Sequence, residues 1–170
     1  MKRLAGIVFP MVLMTSSLHA QNNTKPCTLD TLYRQFDFWI GDWDVYGIKG
    51  TKAGESHIAL MLDSCIIYEN WQSTSRYAGK SFNTYNRAIK QWQQTWVDDK
   101  GGITEYFGNF ADNKMTLVTK PFSFSKDTMA IRKMTFYNLS PAKVRQHGEI
   151  SRDGGKAWTT EFDLEYRRKK

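Results

Sequence analysis

FDFWIGDWDVYG, residues 36–47, is the stretch of sequence that decides the fold. It begins as a crowded apolar run and then alternates, with Trp43 and Val45 on one side and polar residues on the other. Alternation of this period is typical of a half-buried β-strand. The triplet Gly41-Asp42-Trp43 opens that strand, and in a closed barrel glycine permits the turn while the indole seals the floor. We therefore predict that the first strand of a barrel begins here.

About nine further strand-like runs follow, separated by turns. They cover residues 57–62, 64–72, 79–89, 91–98, 103–111, 114–120, 128–137, 142–151 and 157–168. In the last run, Phe162, Leu164 and Tyr166 alternate with residues such as Glu161, which we expect to face water. Consecutive strands on short turns favour an up-and-down barrel over a Greek-key sandwich. We predict an all-β fold, an antiparallel up-and-down barrel of about ten strands.

Two segments outside these strands carry their own predictions. Leu29, Leu32 and Phe36 recur at helical spacing, which predicts a short N-terminal helix over residues 28–38 that lies against one mouth of the barrel. Residues 121–127 form the longest irregular connection, and their two phenylalanines make them a candidate lid or rim loop.

Residues 1–20 have the features of a secretory signal peptide: a basic start, an apolar run and a small-residue end that predicts cleavage after Ala20. No cysteine follows that site directly, which argues against a lipoprotein. No later run approaches the roughly eighteen apolar residues of a membrane span. We expect an exported protein, periplasmic or extracellular, with a single domain over residues 21–170.

The chain of 170 residues carries a formal net charge of +7, or +5 once Lys2 and Arg3 are removed. The charged residues are spread along the chain and end in a short basic tail. This distribution favours a solvated surface over a nucleic-acid-binding stripe, so we expect no nucleic-acid partner.

Cys27 and Cys65 are the only cysteines, and an even pair in an oxidising compartment favours a disulfide. Such a bond would join the segment before the first strand to the third strand and would stabilise the fold by about 3 to 4 kcal/mol. The alternative is two buried thiols. The chain has neither a C-x-x-C motif nor a Cys/His cluster, so we predict no metal site.

The run Ser151-Arg152-Asp153-Gly154-Gly155-Lys156-Ala157-Trp158 fits the S-x-D-x-G-x-x-W pattern of the Asp-box. It resembles the turns of sialidase propellers, but a propeller would need repeats that this chain lacks. In such a turn Asp153 can accept hydrogen bonds from backbone amides, Gly155 can adopt positive φ, and Trp158 can pack the hairpin down. We therefore expect a structural role for Ser151, Asp153, Gly155 and Trp158.

Polar side chains on otherwise apolar strand faces, together with neighbouring aromatic residues, are the candidates for a binding site. If these faces point into the barrel, each polar group is buried and needs a partner. The candidate ligand-binding residues are Glu69, Trp71, Asn83, Tyr85, Gln94, Trp96, Tyr106, Arg132 and Gln146. Asn83 and Tyr85 belong to this set only if their strand turns that face inward, which its sequence leaves open.

Two hypotheses explain these residues. In the first, an internal network, chiefly Glu69 to Arg132, closes a packed barrel. In the second, the network holds the polar head of a ligand, while Trp71, Trp96 and Tyr106 cover its apolar body. Trp92 could equally stack against a ring or fill the core.

The G-x-W triplet after a short helix, the ten strand-like runs and the arginine ending the last strand resemble the calycin superfamily of lipocalin-like barrels. A closer resemblance is to an uncharacterised, mostly bacterial family of calycin-like domains. The matching segments are residues 36–45, 69–71, 81–85, 92–98 and 151–158. In lipocalins an arginine of the last strand packs across the G-x-W tryptophan. The resemblance therefore implies that Arg168, or failing that Arg167, covers Trp43.

Barrels of this kind host transport, haem binding and some isomerase chemistry, so the resemblance implies little about function. Nitrobindin-like relatives ligate haem iron through a histidine in the barrel. Here His147 falls on an outward-facing position and His57 opens a predicted strand, so we predict no cofactor.

We predict a barrel that binds a small, largely hydrophobic or aromatic molecule with a polar head. One alternative is an isomerase, cyclase or lyase in which Glu69 is a general acid or base and Arg132 holds an oxyanion. The other is a filled barrel that serves in protein interaction or as a structural module. The sequence contains no nucleophile elbow, P-loop, dinucleotide fingerprint or HExxH motif, so it leaves the question of catalysis open.

Overall fold

The computed structural model describes residues 26–170, and the predicted signal peptide lies outside them. Two four-residue helices, α1 (Pro26–Leu29) and α2 (Thr31–Arg34), and a 3-10 turn (Asp37–Trp39) precede the strands. The strands are β1 (Gly41–Gly47), β2 (Lys52–Met61), β3 (Ile66–Ser73), β4 (Ala78–Asn86), β5 (Gln91–Asp98), β6 (Ile103–Ala111), β7 (Lys114–Thr119), β8 (Phe122–Ser125), β9 (Thr128–Ser140), β10 (Lys143–Ser151) and β11 (Thr159–Arg168).

Ten of these strands form a closed antiparallel barrel. Each strand from β1 to β6 pairs with the next strand in the chain, and β7 pairs with β9. β9 pairs with β10, β10 pairs with β11, and β11 returns to β1. β8 pairs with the beginning of β9, beyond the point where β7 ends. The prediction of an all-β, up-and-down barrel of about ten strands is confirmed. We call the end at which β1 begins the floor and the opposite end the mouth.

The N-terminal helix is shorter than predicted because it breaks at Asp30. The Asp30 carboxylate accepts a hydrogen bond from the Leu32 backbone N–H at 2.9 Å and caps a new helix, α2. The break leaves Leu29 82% exposed, whereas Tyr33 and Phe36 are buried against the barrel. The helical register predicted from Leu29 was therefore wrong.

The predicted start of β2 and the predicted loop over residues 121–127 were also wrong. β2 begins at Lys52, five residues before the predicted start, and places His57 within the strand rather than at its opening. The predicted irregular loop over residues 121–127 contains β8, whose pairing with β9 satisfies backbone groups that a free lid would expose.

The floor of the barrel is packed with aromatic rings. Phe36 stacks on Trp39 with ring centroids 5.0 Å apart and meets Trp92 and Phe136 edge-on at 5.7 and 5.0 Å. All four side chains are almost completely buried. The lower half of the barrel is thus filled with side chains. The hypothesis of a packed barrel predicted such filling for the whole lumen.

The G-x-W triplet also contributes to the floor. The Trp43 indole N–H donates to the Trp39 carbonyl at 2.8 Å, and the Arg168 guanidinium lies 4.3 Å from the Trp43 ring centre. The expected packing of Arg168 across Trp43 is therefore present. Gly41 has a φ of +142°, and a Cβ there would lie 2.0 Å from Arg168 Nη1. Glycine is required both for this backbone conformation and for the space that the guanidinium occupies.

The helical segment is fastened to the floor by three links. Cys27 and Cys65 form a disulfide between α1 and the turn before β3, which confirms the predicted bridge. The Arg34 guanidinium donates to the Ser64 carbonyl at 2.6 Å, and Arg87 pairs with Asp30 at 2.6 Å.

The β10–β11 turn has the structure that its Asp-box sequence predicts. Asp153 Oδ1 accepts hydrogen bonds from the Lys156 and Ala157 amides at 3.0 Å, which lowers the pKa of Asp153. Gly155 has a φ of +92°, and its carbonyl accepts from the Trp158 indole at 3.1 Å. Ser151 Oγ accepts from the Gly155 amide at 2.9 Å. Hydrogen bonds thus join Ser151, Asp153, Gly155 and Trp158 within this turn.

Candidate functional site

A cavity of about 510 Å³ lies between the aromatic floor and the mouth of the barrel. Seven of the nine predicted ligand-binding residues line it. These are Glu69, Trp71, Gln94, Trp96, Tyr106, Arg132 and Gln146. The upper half of the lumen is therefore open, in contrast to the filled lower half. A volume of this size is in the range of small-molecule sites.

Asn83 and Tyr85 do not line the cavity. Tyr85 packs at the floor, with its ring 5.9 Å from Tyr33 and 6.4 Å from Trp92. Asn83 is buried behind the lining, where its amide donates to the Ile67 carbonyl at 2.9 Å. Trp92 also belongs to the floor, because its indole N–H donates to Gln35 at 3.0 Å and the side chain is buried.

Glu69 of β3 is the most deeply buried charged group of the lining, with 3% exposure. Its Oε1 accepts a hydrogen bond from Ser56 of β2 at 3.1 Å, and its Oε2 accepts from Ser81 of β4 at 3.0 Å. The Tyr166 hydroxyl of β11 lies 3.4 Å from Oε1 and donates to Gln146 Oε1 at 2.8 Å. Both carboxyl oxygens therefore have partners, and all of those partners are neutral.

A chain of amide and hydroxyl groups leads from the cavity wall to this carboxyl. Gln94 Nε2 donates to Asn83 Oδ1 at 2.7 Å, Asn83 Nδ2 donates to Ser81 Oγ at 3.0 Å, and Ser81 donates to Glu69. The donors all point toward Glu69. This direction suits a carboxylate, which only accepts hydrogen bonds.

Burial nevertheless disfavours the charged form of Glu69. Desolvation raises its pKa to about 7, although the hydrogen bonds from Ser81, Ser56 and Tyr166 oppose that rise. Burial and the neighbouring carboxyl also raise the pKa of Tyr166 well above its usual range, so Tyr166 remains a neutral donor. Near neutral pH, Glu69 is therefore present both as the acid and as the carboxylate.

The packed-barrel hypothesis joined Glu69 to Arg132, and the structure does not show that contact. Arg132 instead binds Glu161 through two hydrogen bonds, Nε to Oε2 at 2.8 Å and Nη2 to Oε1 at 3.1 Å. Among the ion pairs that residues 26–170 form, none involves Glu69. In the described part of the chain, the acid at the base of the cavity thus has no ion-pair partner.

A β-bulge explains why Glu161 lies beside Arg132. Gly148 pairs with Phe162 and Glu149 pairs with Thr160, so Glu161 is an extra residue in β11. Both Glu161 and Phe162 consequently line the cavity. Glu161 is exposed, as the alternation predicted, but the alternation did not predict that it also lines the cavity.

Three aromatic walls of the cavity pack directly on glycines of neighbouring strands. A Cβ at Gly79 would lie 2.1 Å from the Trp96 ring, one at Gly148 would lie 2.3 Å from Phe162, and one at Gly54 would lie 2.8 Å from Trp71. Any larger residue at these positions would push the ring away from the wall. The glycines therefore keep the upper lumen open.

The Trp96 ring is also oriented by a hydrogen-bond chain at the mouth. Its indole N–H donates to the Tyr77 hydroxyl at 3.3 Å, and that hydroxyl donates to Asp98 Oδ2 at 3.2 Å. Asp98 Oδ1 accepts from the backbone N–H of Gly102 at 2.8 Å, and this bond is the main cause of the lowered pKa of Asp98. The mouth of the cavity is therefore built on an ordered turn.

Sequence reasoning missed Tyr77, Asp98, Glu161 and Tyr166 as site residues. Tyr166 stands on the inward face of β11 together with Leu164, and its hydroxyl was a signal that this face is partly polar. Tyr77 and Asp98 lie at strand ends, where the alternation of apolar and polar residues does not indicate which way a side chain points. Nothing in the sequence marked the bulge at Glu161.

The two histidines of the described chain lie on the outer surface. His57 is exposed and contacts Asp42 at 2.6 Å, and His147 contacts Thr160 at 2.9 Å. No group of three or more His, Cys, Asp or Glu within residues 26–170 is arranged to hold a metal ion.

None of the helices in the described part of the chain has the length and apolar character that crossing a bilayer requires.

No protein-family model matches the chain, and no curated protein sequence matches it.

Proposed function

We propose that this protein binds a small, largely hydrophobic molecule with a polar head in the upper lumen of the barrel. The observation that carries the proposal is the cavity of about 510 Å³, which has aromatic walls and one buried carboxyl at its base. Trp71, Trp96 and Phe162 supply the walls. Glu69 supplies the polar contact at the base.

The separation of apolar and polar surface supports this function. A cavity built only for packing would be filled, as the floor is by Phe36, Trp39 and Trp92. Ligand sites commonly combine apolar walls with a few oriented polar groups. The glycines behind the rings and the hydrogen-bond chain behind Glu69 provide both features.

A proton-transferring enzyme, such as an isomerase, is a second candidate. The observation that favours it is the burial of Glu69 in the cavity wall, which raises the pKa of Glu69 to about 7 and suits a general acid or base at neutral pH. Glu69→Gln separates the two functions. A carrier would still bind the apolar part of its ligand, whereas an enzyme would lose its turnover.

Gly79→Ala tests the cavity. The new methyl group would meet the Trp96 ring at 2.1 Å and move it into the lumen. We expect the affinity for the apolar probe N-phenylnaphthylamine to fall about tenfold, that is by ~1.4 kcal/mol. Probe fluorescence in a titration measures this change.

Gly47→Ala is the matched control, because a Cβ at Gly47 has 3.8 Å to its nearest neighbour, the Thr51 carbonyl oxygen. This variant should bind the probe as the wild type does. Equal binding by Gly79→Ala, Gly47→Ala and the wild type would show that the probe does not enter the cavity.

We also propose that the chain belongs to the calycin-like family and that it is exported. The closed barrel and the Arg168–Trp43 contact support the first proposal. The Cys27–Cys65 disulfide supports the second, because such bonds persist chiefly in oxidising compartments.

A further inference from the structure

We propose that the ligand is an organic cation, an amine whose ammonium group binds Glu69 while its apolar part lies between Trp71 and Trp96. This inference rests on the proposed function of the cavity and names the chemical class of its ligand. Three features of the lining carry it: the sign of its charge, the absence of any ion pair of Glu69 within residues 26–170, and two tryptophan rings over which no described cation lies.

The lining is acidic although the chain is basic. Glu69, Asp98 and Glu161 contribute carboxyl groups, whereas Arg132 is the basic residue of the lining. The whole chain has a formal net charge of +7. A site whose sign opposes that of the protein concentrates ligands of the opposite charge, and the low-dielectric walls strengthen the effect.

The charge of Arg132 is already neutralised within the protein. Its guanidinium makes two hydrogen bonds to Glu161 in a bidentate geometry, which is the strongest arrangement for such a pair. A ligand carboxylate would share the charge of Arg132 with Glu161, which already holds two of its N–H groups. The uncompensated charge of the lining therefore belongs to the acidic residues.

An ammonium group of a ligand can supply the positive charge that pairs with the Glu69 carboxylate. Ser56, Ser81 and Tyr166 approach it from β2, β4 and β11, and each is a neutral hydroxyl. A buried carboxylate is stable when it is paired with a cation, so the binding of an amine removes the penalty of charging Glu69.

The aromatic walls are also suited to a cation. Within residues 26–170, lysine and arginine side chains lie over the rings of residues such as Tyr77, Trp43 and Trp158, but none lies over Trp71 or Trp96. Tryptophan gives the strongest cation–π attraction among the side chains. The Trp71 and Trp96 rings line the cavity, and no lysine or arginine of the described residues already occupies them.

Three naphthalene probes with the same ring test the inference: naphthylmethylamine, naphthylmethanol and naphthoic acid, which are cationic, neutral and anionic at neutral pH. Titration of tryptophan fluorescence at about pH 8 gives the three dissociation constants. We expect the amine to bind at least about tenfold more tightly than the alcohol, and the acid to bind most weakly.

Glu69→Gln should remove the preference for the amine and leave the affinity for the alcohol within about twofold of the wild-type value. Glu105→Gln is the matched control, because it removes the same charge from an exposed position of β6. That variant should keep the preference. Asp98→Asn, at the mouth, should reduce the preference less than Glu69→Gln does.

Two results would overturn the inference. If the alcohol or the acid binds as tightly as the amine, the cavity is a site for a different chemical class, and the proposed binding function stands. If the preference for the amine survives Glu69→Gln, the cation lies elsewhere. Failure of all three probes to change the fluorescence would count against the proposed function itself.

Discussion

Glu69→Gln is expected to raise the free energy of unfolding by about 3 kcal/mol at about pH 8 and to leave it nearly unchanged at about pH 4. The reason is the change in the pKa of Glu69 on folding. Burial raises the pKa from an ordinary value of 4.5 to about 7. The folded protein therefore holds the Glu69 proton more tightly than the unfolded chain does.

The sign of the pH dependence follows from this difference in proton binding. Below pH 4.5 both states are protonated at Glu69, and the residue contributes no penalty. Between pH 4.5 and 7 the unfolded chain loses its proton first, so the contribution of Glu69 to stability falls as the pH rises. Above pH 7 the penalty is complete. Glutamine has nearly the same shape and no charge, so it avoids the penalty.

Urea unfolding at the two pH values, followed by tryptophan fluorescence, measures the effect. Glu105→Gln is again the control, because an exposed glutamate should give the same stability as the wild type at both values. A destabilised Glu69→Gln protein at about pH 8, or an equal gain at both pH values, would contradict a desolvation penalty on the Glu69 carboxylate.

Loss of the Cys27–Cys65 disulfide is expected to lower the free energy of unfolding by about 3 to 4 kcal/mol, because the bond closes a long loop in the unfolded chain. The two cysteines are 38 residues apart. The double variant Cys27→Ser/Cys65→Ser should show this loss in guanidinium unfolding. Reducing agent should lower the stability of the wild type to the same value and leave the variant unchanged.

The same double variant also tests where in the barrel the probe binds. The disulfide lies at the floor, and the cavity lies above the aromatic layer of Phe36, Trp39 and Trp92. Below its unfolding transition, the double variant should therefore bind N-phenylnaphthylamine with the wild-type affinity. A large loss of probe affinity in a folded double variant would place the probe at the floor instead.

The sequence predicted the parts of this structure that depend on local patterns. Alternation from Gly41 onward identified the strands, and the short turns identified the up-and-down order. The Asp-box turn followed from Asp153 and Gly155, whose roles depend on neighbours in the chain. The disulfide followed from the count of cysteines.

The sequence could not predict features that depend on distant contacts. The bulge in β11 is set by pairing with β10, and it alone brings Glu161 to Arg132, a residue 29 positions away. Alternation likewise placed Glu69 inside the barrel but could not show that its partners are hydroxyl groups from three other strands. Alternation also could not show at which level of the barrel the aromatic packing ends and the cavity begins.

The contrast between the two halves of the lumen supports the interpretation of Glu69 as a residue of a functional site. The floor shows that this chain can fill its barrel with aromatic rings. Above it, the glycines hold the walls apart and a carboxyl is buried without a cation. Features that lower stability and persist in a fold are typical of functional sites.

Native mass spectrometry of the protein purified from its natural host tests the central claim most directly. We predict a species with one small molecule bound per chain, and denaturing extraction should release a molecule that carries an amine. The bound species should be reduced in Gly79→Ala protein and retained in Gly47→Ala protein. A protein that carries no small molecule, and whose tryptophan fluorescence does not respond to the naphthalene probes, would contradict a ligand-binding lumen.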